Sequence, residues 1–217
     1  MLRGERELRP GPLRDAASWA LIALPVISGL WLAIGVGVLA ALSPGYSHVS
    51  HFMSVLGAAG APYAAWTNYA VFIPTELWLL GFLALLNARL PDRRLTRVSL
   101  ILLATYAGLL MLAAGLPCDA GCNGGDDGQS AVHIAHMIAA AVAYPLALIG
   151  LFLLVLTLPQ PSLLRRLALP SLAVGVGLFG AIIAVPEAQG LFQRLLEAWI
   201  YAQFIALGGH AALCLRP

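Results

Sequence analysis

The sequence predicts an all-α protein, a polytopic membrane bundle of six transmembrane helices with both termini cytoplasmic. Three observations predict it. Of 217 residues, 60% are hydrophobic and 10% charged, whereas soluble domains run at roughly 45–50% and about 25%. The apolar residues fall in six continuous runs. Each approaches the roughly 20 helical residues that a hydrocarbon core about 30 Å thick requires. Finally, all but one of the 12 basic residues lie in stretches that alternate runs separate. Continuous rather than alternating runs disfavour a membrane β-barrel.

The elements follow in order. Residues 1–16 form an Arg-rich segment bearing Arg3, Arg6, Arg9 and Arg14, and 17–217 form one transmembrane domain. The first run, Ser18–Leu42, is too long for a signal h-region and follows a segment charged with both signs, so it reads as a retained helix. Pro44 and Gly45 end it. The second and third runs, Trp66–Leu86 and Val98–Leu116, are separated by Arg89, Arg93, Arg94 and Arg97. The fourth and fifth, Ala131–Leu156 and Leu167–Val185, are separated by Arg165 and Arg166. The sixth, Ala198–Leu215, precedes Arg216. Short cytoplasmic loops are enriched in Lys and Arg. The expected location is therefore a bacterial inner membrane, with the loops after the first, third and fifth runs outside. The arginines serve as topology signals and anionic-lipid contacts rather than as a nucleic-acid surface. Only Arg194 falls on the outer side.

The outer segments hold most of the reactive side chains. Ser47–Leu56 has the pattern of a short interfacial helix, with Ser47, His51 and Ser54 on one face at i, i+4 and i+7 and His48 beside them. Gly57, Gly60 and Pro62 end it. The loop Pro117–Ser130 carries Cys118 and Cys122 around an Asp-Ala-Gly turn, with Asp119, Asp126 and Asp127. Outside the cytosol two close cysteines favour a disulfide. Metal binding with His133 and His136 is the alternative, although two residues between histidines is fewer than the three to five common at zinc. Cys214 lies at the opposite end. The third outer segment, from Pro186 through Glu187, Gln189 and Arg194 towards Glu197, either lies on the membrane or begins the sixth helix; the pattern fits both.

Ionisable groups within a bilayer are functional candidates, and Glu76 is the clearest, about 15 Å into the second helix at 1.5 Å per residue. Pro74 nearby introduces a kink. It reads equally as a proton or cation carrier and as a protonated acid bonded to a neighbouring helix. His48, His51, His133 and His136 share the outer side. They admit a metal that activates water, haem iron, a general base for Ser47, Ser50 or Ser54, or plain hydrogen bonding to loops. No cofactor is required by the sequence; haem and a divalent metal stay open. Asn68, Thr75, Tyr106, Tyr144 and Gln203 read as helix-bridging groups, and Gly175, Gly177, Gly180, Gly208 and Gly209 as close-packing positions. Phosphate-binding loop, dinucleotide, GxSxG and HExxH motifs are missing, as is a repeat of broken helices like that of many transporters.

The stretch SHFMSVLGAAGAPYAAWTNYAVFIP, then LPCDAGC and SAVHIAHMIAA, resembles the bacterial six-helix family catalogued as domain of unknown function nine hundred ninety-eight. Its marks are Ser-x-x-Gly-Ala-x-x-x-Pro after the first helix, Pro-Cys-Asp-x-x-Cys, and a His opening the fourth. The resemblance carries over to Ser54, Gly57, Pro62, Asn68, Cys118, Asp119, Cys122 and His133; Glu76 and His48 lie outside the pattern. A looser similarity is to Frag/DRAM/Sfk membrane proteins, some linked to lipid remodelling.

The leading expectation is an outward-facing polar pocket that binds or processes a lipid or amphiphile. It would be built from Ser47–Ser54, Cys118–Cys122 and the top of helix four. His133 and Asp119 would serve as base or ligands with Ser54 as polar partner, and His51, Asn68 and Glu76 would contact substrate. A non-catalytic subunit of a larger membrane complex is the second expectation. The third is a haem or metal redox protein using His48, His51, His133 and His136. Whether the chain is an enzyme stays open.

Overall fold

In the computed structural model, residues 16–123, 128–159 and 162–214 are described, and they are helical with short connections. Residues 1–15 of the Arg-rich segment, Asp126, Asp127 and Arg216 lie outside the described residues. Six long helices form the structure: α1 Ala16–Ala41, α2 Trp66–Arg89, α3 Arg94–Gly115, α4 Ala131–Leu156, α5 Ala168–Ala184 and α6 Gln189–Cys214. A single turn, Leu163–Arg166, leads into α5. Each helix packs on its chain neighbours, and α6 returns to α1 to close the bundle.

The outward faces are as apolar as the core. Ile34, Ile101, Leu169 and Ile183 are each more than three-fifths exposed. Apolar surface on this scale belongs against lipid rather than water, and the chain is a multi-pass membrane protein. Helices α1 to α4 are each long and apolar enough to cross a membrane. The remaining pair passes that test only together and is bent by 110° at its break. The reason is visible in the residues. Helix α5 has 17 residues, and α6 begins at Gln189, so it takes Arg194 and Glu197 into the helix. The sequence expectation began this helix at Ala198; the observed start decides the open choice for the third outer segment.

Packing without a water-driven hydrophobic force depends on close contact and hydrogen bonds. Pro25 has no N–H, which frees the Leu21 carbonyl inside α1. Gly208 of α6 lies directly against that carbonyl, with no room for a side chain. Gly175 is similarly tight, against Leu148, whereas Gly177, Gly180 and Gly209 face open space. In α2 the first turns, Trp66–Phe72, are a π-helix, with the Ile73 N–H bonded five residues back to Asn68. Pro74 frees the Ala70 carbonyl in the same way, and the Trp31 indole of α1 donates to it at 2.8 Å.

One expected element is corrected. Ser47–Leu56 is not a continuous helix carrying Ser47, His51 and Ser54 on one face. One turn closes with His51 N–H on the Ser47 carbonyl, Phe52 is extended, and a 3₁₀ turn spans Met53–Gly57. The break frees the Met53 N–H, which donates to Gln193 Oε1 at 2.8 Å. A partner on α6 outweighs local helical periodicity.

Candidate functional site

Two polar regions are built from different material. The first is at the loop end. Ser130 caps α4: its Oγ accepts from His133 N–H at 3.0 Å, satisfying an orphan donor of the first turn. The same Oγ donates to Asp119 Oδ1 at 2.6 Å, and Ser130 N–H donates to Oδ2 at 2.9 Å. These bonds hold the Asp119 carboxyl below its usual range, because they favour the charged form. His133 is buried, and its Nδ1 accepts from Asp119 N–H at 3.2 Å. The same nitrogen lies 4.0 Å from Asp119 Oδ2.

Cys118 and Cys122 lie at disulfide distance, with Cα atoms 5.1 Å apart. Gly121 and Cys122 both have positive φ, 69° and 56°; the second is costly for a residue with a Cβ and is held by the cross-link. Ala59 N–H donates to the Cys118 carbonyl at 2.8 Å, joining the first outer connection to the second. Asn68 Nδ2 donates to the Gly57 carbonyl at 2.9 Å, and a side chain at Gly57 would collide with Asn68. Ser54, Gly57, Asn68, Cys118, Asp119, Cys122 and His133 of the family resemblance thus meet as one loop-end unit.

The expected grouping of Ser54, His51 and His136 around His133 does not form. Ser54 Oγ lies 3.5 Å from Cys122 Sγ and has no hydrogen bond to His133. His51 Nδ1 accepts from Ser47 N–H at 3.1 Å. His136 Nδ1 faces the Ala113 and Leu116 carbonyls at 2.8 and 2.9 Å, at the end of α3. Among the described residues no group of three His, Cys, Asp or Glu side chains is placed to hold a metal. A hollow of about 250 Å³ does lie between Ser43–Tyr46, His51, Val55, Leu56, Ala58–Pro62 and Ala120–Gly121, but His133 and helix α4 do not line it.

The second region is inside the bundle. Glu197 of α6 is buried and accepts from the Tyr106 hydroxyl of α3 at 3.1 Å and the Tyr144 hydroxyl of α4 at 2.9 Å. Gln193 Nε2 donates to the Tyr144 oxygen at 3.1 Å. The Tyr201 and Ser28 hydroxyls share a 2.8 Å bond, and Ser28 Oγ also lies 2.8 Å from the Thr75 carbonyl as a donor. Glu76 is buried beside this network, and its Oε2 has no partner among the described residues. Sequence reasoning found Glu76, Tyr106 and Tyr144 but placed Glu197 in an outer segment and passed over Gln193, Tyr201 and Ser28. A signal existed: Gln193, Glu197 and Tyr201 recur at i, i+4 and i+8, the period of one helix face.

Between α1 and α6 runs a cavity of about 440 Å³, almost wholly apolar, lined by residues such as Leu30, Ala33, Ala198, Ala202 and Ile205, with Glu197 and Tyr201 on its inner wall. Arg194 and His48 stand at its loop end. The Arg194 guanidinium donates to the His48, His51 and Gly190 carbonyls at 2.9, 3.1 and 2.7 Å and to the Tyr46 hydroxyl. Burial raises the Tyr46 phenol above its usual range, with the guanidinium offsetting part of the effect. Arg194 Nε is buried without a partner, and no carboxylate pairs with this arginine among the described residues.

Residues 26–210 match the family described as "Protein of unknown function (DUF998)". The chain belongs to that family. The match takes in all six helices, at least in part, together with both regions. No curated protein and no solved structure matches, so the family supplies the setting and the chemistry has to come from the residues.

Proposed function

We propose that this protein binds an anionic amphiphile, chain inward, in the groove between α1 and α6. One observation carries the reading: an apolar cavity of about 440 Å³ ends at Arg194, whose Nε lacks a partner. The volume falls within the roughly 300–1,000 Å³ of small-molecule sites. The walls suit an acyl or isoprenoid chain, and an uncompensated guanidinium suits a phosphate or carboxylate headgroup. In this reading all six helices cross a bacterial inner membrane with both termini cytoplasmic, as the arginine distribution favours. Arg194 then sits at the outer leaflet. Binding is favoured over hydrolysis because Ser54 faces the cysteine pair rather than a base, and His133 is engaged in holding the Asp119 loop.

The test is lipid analysis of protein purified in mild detergent. Wild type should retain an anionic lipid that Ala198→Phe, which fills the groove, and Arg194→Gln each deplete. Ala33→Phe provides a second block from the α1 side. Equal lipid content in all four proteins would sink the reading.

A further inference from the structure

We propose that a second cavity, between α4, α5 and α6, seats an anionic phospholipid of the surrounding bilayer, with its phosphate on Arg165 and Arg166 and an acyl-ester carbonyl on Gln203. The cavity holds about 270 Å³. Leu148, Leu151 and Val155 of α4 form one wall, and Trp199 and Leu207 of α6 another. Val174 and Ala206 also line it and are exposed, so it opens sideways to lipid. Where α5 begins, Leu164 and Leu167 line its end. Neither Arg194 nor Ala198 of the α1–α6 groove lines it.

Charge and hydrogen bonding together name the occupant. Arg165 and Arg166 lie between those two leucines. Arg165 Nη1 donates to the Leu158 carbonyl at 3.3 Å, which holds its guanidinium at the end of α4, just beyond Val155. Arg166 is exposed, and no carboxylate pairs with either arginine among the described residues. Two guanidinium groups without a counter-charge suit a phosphate. Deeper in, Ser171 Oγ donates to Gln203 Oε1 at 2.8 Å, which fixes the carboxamide's orientation. Gln203 Nε2 carries two hydrogens but makes one long bond, 3.4 Å to the Trp199 carbonyl. The Trp199 indole donates to the Ser171 carbonyl at 3.1 Å, tying α6 to α5 at this level. Ser171 lies about 6 Å beyond Leu167 along the helix. The acyl esters of a phospholipid stand a few bonds below its phosphate, so a headgroup on the arginines brings an ester carbonyl to Gln203. An occupant with no acceptor would leave that N–H unsatisfied in an apolar setting, which is costly.

The test uses the full chain with Trp19→Phe, Trp31→Phe, Trp66→Phe and Trp78→Phe, which leaves Trp199 on the cavity wall as the one indole. In phosphatidylcholine vesicles, lipids brominated on their acyl chains quench its fluorescence. Brominated phosphatidylglycerol should be preferred over brominated phosphatidylcholine, by about fivefold for each arginine. Arg165→Gln with Arg166→Gln should bring the two lipids level, and so should Ala206→Phe, which fills the cavity. Gln203→Leu should weaken quenching by both lipids alike. Ala33→Phe, which blocks the α1–α6 groove, should leave the preference in place, so this proposal and the amphiphile reading fail separately. Several results would overturn the proposal: equal quenching by the two lipids in the parent, a preference that survives the arginine changes or Ala206→Phe, quenching unmoved by Gln203→Leu, or a preference lost in Ala33→Phe. A dimer that Ala206→Phe dissolves with quenching unchanged would give the cavity to a second copy and overturn it too. Should the protein with one tryptophan fail to fold, native mass spectrometry of wild type from nanodiscs of the same two lipids decides. The double arginine variant should then carry one phosphatidylglycerol fewer, and an unchanged count overturns the proposal.

Discussion

At the loop end, Asp119 meets Ser130 across 11 residues and His133 across 14. Inside the bundle, Glu197 draws Tyr144 across 53 residues and Tyr106 across 91. The loop-end groups are satisfied by a cap, a turn and a cross-link. Those motifs work wherever their short sequences occur. The Glu197 carboxyl is satisfied only because three helices, α3, α4 and α6, stand side by side. Loss of one partner should accordingly be felt differently. A loop-end polar group has solvent nearby to replace its partner, whereas an interior one has none.

The largest contrast should come from removing the phenols. Tyr144→Phe strips a donor from Glu197 and an acceptor from Gln193. It should cost about 1–3 kcal/mol, the range for leaving a buried hydrogen-bonding group without its partner, read as a lowered melting temperature in detergent. Adding Tyr106→Phe should cost more than the two single changes summed, because Glu197 then keeps no donor. Strict additivity would mean that the tyrosines do not act on one carboxylate. At the loop end the largest effect should come from Gly57→Ala, which drives a methyl into Asn68. Overpacking of this kind costs about 1–3 kcal/mol, and Asn68→Ala should relieve much of it.

Ser130→Ala removes the α4 cap and should cost about 1 kcal/mol, with little effect on the interior. The smallest effect is a pH dependence. Asp119 titrates below its usual range when folded. The stability it lends is thus fully present above the ordinary carboxylate value of about 4 and is lost as pH falls through the folded value. Ser130→Ala should flatten that acid limb. A limb that survives unchanged would place it on another carboxylate.

Much of this was legible in the residues. Apolar runs marked the first four long helices closely, because each has the length that a bilayer demands of a span. Pro44 and Gly45 fixed the end of the first helix through local backbone chemistry. The Cys118–Cys122 proximity followed from a spacing of four. The same local logic failed where partners were remote. It made a helix of Ser47–Leu56, which Phe52 interrupts so that Met53 can bond Gln193. It ended the third outer segment at Glu197, since a charge reads as solvent-facing until its donors are known.

The sequence alone therefore determined that this chain is a helical membrane protein and, within a few residues, where its first five long helices run, for those follow from hydropathy and local backbone chemistry. Only the tertiary structure decided that Glu197 and Arg194 belong to α6 and that both line a groove beside α1. The physical reason is solvation. In a bundle with no water to satisfy a charge, its place is set by donors and acceptors on other helices, and their alignment depends on contacts such as Gly208 against Leu21 rather than on any single stretch of residues.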